Sequence, residues 1–390
     1  MRRHNLLPAR LSKSLPVKGD LMIVIWVIVG IIAVAIIILV HELGHYLAAR
    51  AVGIKVQQFS IGFGPEIAGW DRGGTRYSLK WFLAGGSVRI LGMNPDEEVS
   101  EEDFPHSYYG VPHWKRAIVV LAGSFAHVLL AMILFYLVYW PIGVPVPKAK
   151  VGDVTKTIET SEGKTYTSPA YAAGLKKGDY VVSVNGVRTE EWDELVGELA
   201  SRPGKNVKLK IVRNGKEIEK TVSLLSVGGR GVLGIKVDMK DTIKRRSNPL
   251  KAVVYSAQTT GKLSVLLVKA FGSIFSVKTF KILIGRAERT PESPRSIVGA
   301  AQLVAQAARY GLAEFLAMLG QILIFLAIFN LMPLPPLDGG HIIVIVVEKI
   351  FKKKVDMRKL TPVAILVIAV LAVIALRLAI LDITEPLPLP

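Results

Sequence analysis

The chain contains no cysteine in its 390 residues. Disulfide staples, iron-sulfur clusters and thiolate metal sites are therefore excluded, and any bound metal has to be held by His, Asp or Glu. Acidic residues are also in deficit: 31 Asp plus Glu stand against 49 Lys plus Arg, a formal net charge of +18. Such an excess suits a nucleic acid or an anionic lipid surface. In a chain this apolar the lipid headgroup is the better match, and no nucleic acid is expected. What is in surplus is hydrophobic: 51% of the residues, with a mean hydropathy of +0.41. Together with several long uncharged runs, this rules out an ordinary soluble protein and predicts a polytopic α-helical membrane protein.

About four transmembrane helices are expected. Residues 21–40 carry no charge, and at about 1.5 Å per residue a run of that length crosses the roughly 30 Å hydrocarbon layer. The run passes directly into HELGHYLAAR with no small-residue cleavage site, so it is a retained span and not a signal peptide. Residues 1–20 read as a basic N-terminal extension, with Met22 an alternative start. A second span is expected over 117–140, closed by Pro141, a third over 315–347, and a fourth over 362–381 with Arg377 as its one charge. The third is interrupted by PLPPLDGG at 333–340. Backbone freed from helical hydrogen bonds at membrane depth is tolerated only where protein buries it or a wet cavity receives it, so the break marks a site. The first and third spans cross in the same direction, which brings His41 and Asp338 to similar depth near one face. The Lys-rich segment EKIFKKKVDMRK after the third span places that face in the cytoplasm and the long segment between spans two and three outside. The basic N-terminus argues the other way and carries less weight because of the start-site ambiguity. The expected location is thus the plasma (inner) membrane, with the site nearer the cytoplasmic face.

HELGH, His41 to His45, matches HExxH. Imidazoles at i and i+4 share a helical face and can bind one zinc, with Glu42 beside it. Zinc brings the pKa of water to near 7, and Glu42 is then the group to take its proton during attack on a carbonyl and return it to the leaving amine. HExxH is also found on plain helix surfaces, but two His and a Glu at the end of a membrane span are costly without a use. A catalytic zinc needs a third protein ligand and an open position. The extended HExxHxxGxxH pattern is absent, since Ala48 and Ala51 stand at its Gly and His positions. Asp338 is the foremost candidate, His341 is its rival, and a turn-capping role for Asp338 is the plain alternative.

With FNLMPLPPLDGG in a later span, HELGH resembles the signature of the site-2 protease family of intramembrane zinc metalloproteases, of the bacterial regulator-of-sigma-factor type. The family's second motif, NxxPxPxLDG, reads here as Asn330, Pro333, Pro335, Leu337, Asp338 and Gly339. The resemblance implies His41, His45 and Asp338 as zinc ligands, Glu42 as catalytic base, and Asn330, with the Pro333 and Pro335 segment, in substrate binding. A helix-helix hydrogen bond is the plain reading of Asn330. TRYSLKWFLAGGSVRILGM reads as a β-hairpin turning at Gly85 and Gly86. The family places there a membrane-associated β-element that pairs with extended substrate, which implicates both glycines in substrate binding. SIVGAAQLVAQAA, from Ser296, is similar to a family segment ahead of the third core helix. One departure is AGSFAH in the second span, where Ser124 and His127 replace a Pro and an Asn found in many members. His127 reads as a structural histidine in that Asn's place.

Residues 148–240 shift to a soluble α/β composition with an Asn214-Gly215 turn and resemble one PDZ domain. Such folds bind a chain end along a sheet edge. In the family the domain commonly filters substrates, admitting those already trimmed by a first protease. Simple steric shielding is the plain alternative, and the presence of one copy where some relatives carry two weakens size exclusion. The remaining boundaries are a first membrane half over 21–147, an amphipathic membrane-surface segment over 241–314, for which a helix packed on the spans is the equal alternative, and a second membrane half over 315–390. The acidic stretch 94–110 reads as a solvated loop, and His106 and His113 as surface residues. The expected activity is hydrolysis of peptide bonds within or next to the transmembrane segment of a single-pass regulator such as an anti-sigma factor. A non-catalytic PDZ-bearing receptor or scaffold with a structural metal competes with it, but would not need Glu42. A metal transporter would need ionisable residues strung along several spans, which are lacking here.

Overall fold

In the computed structural model, residues 18–94, 96–159, 163–274, 276–290, 293–385 and 387 are described. Most of the expected basic extension, residues 1–17, lies outside them. The chain opens with α1 (Lys18–Ala51), β1 (Val56–Arg72), β2 (Thr75–Ile90) and α2 (His113–Leu137). There follow β3 (Val144–Pro147), β4 (Val151–Val154), β5 (Thr157–Glu159), β6 (Thr165–Thr167), α3 (Pro169–Ala172), β7 (Tyr180–Val184), β8 (Val187–Arg188) and α4 (Trp192–Ala200). Then come β9 (Asn206–Arg213), β10 (Lys216–Ser223), β11 (Leu225–Val227), β12 (Arg230–Val232), β13 (Ile235–Val237) and β14 (Thr242–Arg245). The chain closes with α5 (Pro249–Ile274), α6 (Val277–Leu283), α7 (Ile297–Tyr310), α8 (Leu312–Asn330), α9 (Asp338–Phe351) and α10 (Thr361–Thr384). Two compact units result: Met1–Tyr136 with Val253–Pro390, and Leu137–Ala252.

Four helices of the described residues are long and apolar enough to cross a membrane: Ile32–Ala51, His113–Ile142, Leu312–Asn330 and Met357–Thr384. The α5 and α6 pair, bent by 68°, would make a fifth. Phe271 of α5 stacks on Phe325 of α8 with ring centroids 5.1 Å apart, so this part of the 241–314 segment packs on a span, the second of its two expected placements. The third span breaks where the prolines fall. α8 stops at Asn330, Pro333, Pro335 and Pro336 offer no N–H to continue it, and Asp338 opens a new helix. The break folds tightly onto that new start: a Cβ on Gly339 would lie 2.1 Å from the Met332 carbonyl oxygen.

The β-element differs from expectation. Its reversal falls at Gly73 and Gly74, with φ of 58° and 75°, the two successive positive values that a tight two-residue turn requires. Gly85 and Gly86 lie instead within β2, and Gly85 is there because any side chain would overlap the Phe63 ring. The register is also richer than a hairpin. Trp70 pairs with Tyr77 and Phe59 with Val88 in the antiparallel sense, while Gln58 to Ile61 pair with Arg76 to Leu79 in step. Two long strands therefore make a four-segment sheet with a parallel central pair, ordered 86–90, 56–61, 76–79 and 66–72.

A buried apolar cluster including Ala49, Ile54, Val56, Ile90, Tyr108, Val119, Val120 and Ile345 joins the end of α1, the base of the sheet, α2 and α9. Tyr108 corrects the picture of 94–110 as a merely solvated loop, since it is 2% exposed. Its burial pushes the phenol pKa upward. Tyr108 and Tyr109 flank the Arg116 guanidinium at 5.0 and 4.8 Å, and Arg116 pairs with Glu348 of α9 in near-complete burial. The other Glu348 oxygen accepts from the Val355 N–H at 2.9 Å. On the outside, Asp96 pairs with Arg358 at 3.0 Å and Lys354 sits over the Phe104 ring at 5.4 Å. The segment before the second span and the one after α9 thus meet, as span parity requires of segments on one membrane face.

The second unit is sheet-rich and consistent with an inserted PDZ-like domain. Its main sheet runs β10-β9-β7-β8. Along β9, Val207, Leu209 and Ile211 are fully buried while Asn206 and Lys208 are exposed, the period-two pattern of a half-buried strand. α4 starts with a capping box between Glu191 and Glu194 and buries Leu195 and Leu199 four residues apart. The unit extends past 148–240 at both ends because β3 pairs with β14, from Val144↔Arg245 to Pro147↔Thr242. Lys148 and Lys150, each 2.9 Å from the Asp241 carboxylate, hold its pKa below the ordinary carboxylate value.

Two outcomes follow. Arg116→Met leaves the Glu348 carboxylate buried and unpaired and should cost about 3–5 kcal/mol, whereas adding Glu348→Met should restore most of it; unfolding midpoints in detergent measure both. Because Asp241 is depressed in the native state, its contribution is complete above about pH 4, the unfolded value, and is lost as pH falls through the lower native one. Acid unfolding of this unit, followed in wild type and Asp241→Asn, should converge below that range.

Candidate metal centre

Two turns of α1 and the first residue of α9 build the site. His41 and His45 stand one above the other on α1, four residues apart. Their Nε2 atoms are 3.1 Å apart, and each lies 3.4 Å from Asp338 Oδ2. Among the described residues these three form the one group of His, Asp and Glu whose donor atoms lie within 4.8 Å of one another. His341, the rival third ligand, is not in it.

The donor chemistry fits a cation. His45 Nδ1 donates to the Val119 carbonyl at 2.8 Å, which fixes the proton there and leaves Nε2 a bare lone pair. Asp338 Oδ2 is buried without a hydrogen-bond partner. Electron-rich atoms packed this closely repel unless a positive ion lies among them. The spacing matches as well: ligands of a tetrahedral zinc at about 2.0–2.1 Å stand about 3.3 Å apart. The three side chains are 12–18% exposed, so the centre is largely buried but not sealed.

The surroundings hold the imidazoles in place. A Cβ on Gly123 of α2 would lie 2.3 Å from His45 Nε2 and 2.6 Å from His41 Cε1. Only glycine lets α2 approach both rings this closely. His127, 2% exposed, donates from Nε2 to the Ile37 carbonyl at 3.0 Å, and its ring centroid is 4.8 Å from that of His41. It stays outside the metal group. Asn330 Nδ2 comes to 3.5 Å from His41 Nε2, the outer limit of a hydrogen bond. Pro333 and Pro335 lie in the break between Asn330 and Asp338, and the Pro335-Pro336 peptide is cis. Glu42 faces β2: the Val88 backbone reaches its carboxylate, and a Cβ on Gly86 would be 3.0 Å from its Cγ. Gly86 thus comes against Glu42, while Gly85 packs on Phe63. The sequence reading missed Gly123, the Val119 carbonyl and the Arg116–Glu348 pair. Arg116, a charge at the start of an apolar run, and the small-residue AGS step were the signals available.

The family model described as peptidase family M50 matches residues 29–375. The zinc metalloprotease Rip1 of Mycobacterium tuberculosis is 32% identical over 353 residues, covering 85% of this chain and 87% of the relative. Rip1 of Mycolicibacterium smegmatis is 30% identical over 403 residues, covering 92% and 98%. A putative zinc metalloprotease of Campylobacter jejuni is 30% identical over 342 residues, covering 84% and 85%. The chain belongs to peptidase family M50, the site-2 proteases. It is a multi-pass membrane protein and a zinc metalloprotease.

Gly123→Ala tests the fit of the rings. It should lower zinc affinity by about 10–100-fold, the usual effect of disturbing a ligand's immediate support, with the fold retained. Zinc retention against a buffered chelator gives the measurement.

Proposed function

We propose that the protein is an intramembrane endopeptidase that hydrolyses a peptide bond within or next to the transmembrane segment of a single-pass membrane regulator, such as an anti-sigma factor. The observation that carries this reading is Glu42 following His41 directly on the helix that supplies two donors of a three-donor cation centre, inside a candidate membrane span. A purely structural metal has no use for a carboxylate there. His41, His45 and Asp338 would hold the zinc, which supplies Lewis acidity and brings the ionisation of water to near-neutral pH.

Glu42 then acts as base and acid in turn. It takes a proton from the attacking water as the water oxygen bonds to the carbonyl carbon, and delivers a proton to the amide nitrogen as the C–N bond breaks. Val119 holds the His45 ring in its ligating tautomer. An intact substrate helix hides its carbonyls in i to i−4 hydrogen bonds and has to unwind first. Segment 86–90 is an edge of the β1–β2 sheet, paired on one side only among the described residues, and lies beside Glu42. It offers backbone groups to an extended substrate strand, and Gly85 and Gly86 stand at the start of that edge. Asn330, 3.5 Å from His41, and the Pro333 to Pro335 segment that leads to Asp338 would hold the same strand. The Lys-rich segment after α9 supports a centre nearer the cytoplasmic face and a PDZ-like unit outside, where it would receive the exposed terminus of a trimmed substrate.

A truncated single-pass reporter in detergent tests the reading. Untreated wild type should cleave it, and chelated wild type should not. Glu42→Gln should keep one zinc per chain while its rate falls by about 10²–10⁴, and Asp338→Asn should lose zinc. Cleavage by zinc-loaded Glu42→Gln at the wild-type rate would remove the base assignment.

A further inference from the structure

One cavity lies apart from the metal centre, at the C-terminal end of α1. It has a volume of about 450 Å³ and is lined by Tyr46, Arg50, Trp70, Arg72, Gly73 and Tyr77. Its charge is unbalanced. The Arg50 guanidinium donates to the Gly73 carbonyl at 3.2 Å, and neither Arg50 nor Arg72 has a carboxylate partner among the described residues. The nearby acids are already engaged: Arg76 takes Glu66 at 2.6 Å and Asp71 at 2.8 Å. Two guanidiniums, each a fork of donors suited to phosphate oxygens, are left facing one hollow.

Its walls are those of a membrane interface. Trp70 stacks on Tyr77 with centroids 5.6 Å apart and planes within 11°, and the Tyr77 hydroxyl bonds that of Tyr46 at 2.5 Å. Trp70 remains 57% exposed, a position suited to the headgroup layer, where amphipathic rings concentrate. The approach to the cavity is apolar. Leu43, Leu47 and Arg50 follow at i, i+4 and i+7 on α1, and Ile32 and Ile36 continue that stripe, all four apolar side chains being exposed. A continuous hydrocarbon track therefore leads along the span to a doubly cationic, aromatic-walled hollow. A free anion would use the hollow alone; the track is matched by an acyl chain.

We infer that this cavity is a binding site for an anionic phospholipid, with the phosphate between Arg50 and Arg72, Trp70 at the headgroup and an acyl chain along the Leu43 to Leu47 stripe. The site does not depend on the catalytic assignment, so Glu42→Gln protein should bind the same lipid.

Native mass spectrometry of the full chain in detergent, titrated with phosphatidylglycerol, phosphatidylcholine or inorganic phosphate, tests this. Wild type and Glu42→Gln should hold phosphatidylglycerol about tenfold or more tightly than either alternative, and the Arg50→Gln, Arg72→Gln double variant should lose that preference. Retention of zinc by the double variant shows that it is folded. Lys216→Gln, a charge removed from the other unit, should bind as wild type does. Equal binding of the two lipids by wild type overturns the site whatever the variants do. So does phosphate binding as tight as phosphatidylglycerol, displacement of the lipid by a short acidic peptide at lower concentration, or full lipid preference in the zinc-loaded double variant.

Discussion

The structure is organised around a repulsion. Two imidazole nitrogens and a carboxylate oxygen are held within 3.4 Å of one another, with a proton fixed on the far side of the His45 ring. In a low-dielectric interior such a group is unfavourable by itself and favourable around a cation, so the protein has to oppose its spreading until the ion arrives. The opposition comes from rigid backbone. α1 fixes the two rings, the Val119 carbonyl and Gly123 bound them from α2, and the break after α8 delivers Asp338 on the first turn of α9. The buried Arg116–Glu348 pair ties α2 to α9, the two helices bounding the centre. A buried ion pair is a poor source of net stability but a strict specifier of which helices meet.

The broken third span answers a second constraint. A continuous helix would satisfy its own backbone and offer no inward-pointing start at membrane depth. Prolines end α8, and the buried Gly339 and Gly340 allow the break to pack against the beginning of α9. A polar break in an apolar surround is tolerated because the protein folds over it, and the space it opens is the space the centre uses.

Much of this was legible in the sequence, because helix periodicity and proline chemistry are local. The four spans, the break at Pro333 and the pairing of HELGH with Asp338 follow from run length, span parity and ligand type. The Asn214-Gly215 turn was equally readable, and the structure places it between β9 and β10. The β-element was not. Its two glycine pairs look alike in sequence, and which of them turns depends on the sheet register, a long-range property: Gly73-Gly74 reverses the chain while Gly85 yields to the Phe63 ring. Nor could the acidic stretch reveal that Tyr108 would be buried, since the cation it flanks, Arg116, and that cation's partner, Glu348, come from distant helices. The supporting atoms of the metal centre were hidden for a related reason. A backbone carbonyl such as that of Val119 has no letter in the sequence.

The sheet-rich unit enters and leaves through one antiparallel pair, β3 with β14, in which Val144 lies opposite Arg245. Entry and exit are thus a single strand spacing apart, about 5 Å. To the membrane helices the whole insertion is equivalent to a short hairpin, whatever its length. Its length and sequence can therefore change without re-threading the chain that carries the metal centre, because the insertion begins and ends at neighbouring positions of one strand pair.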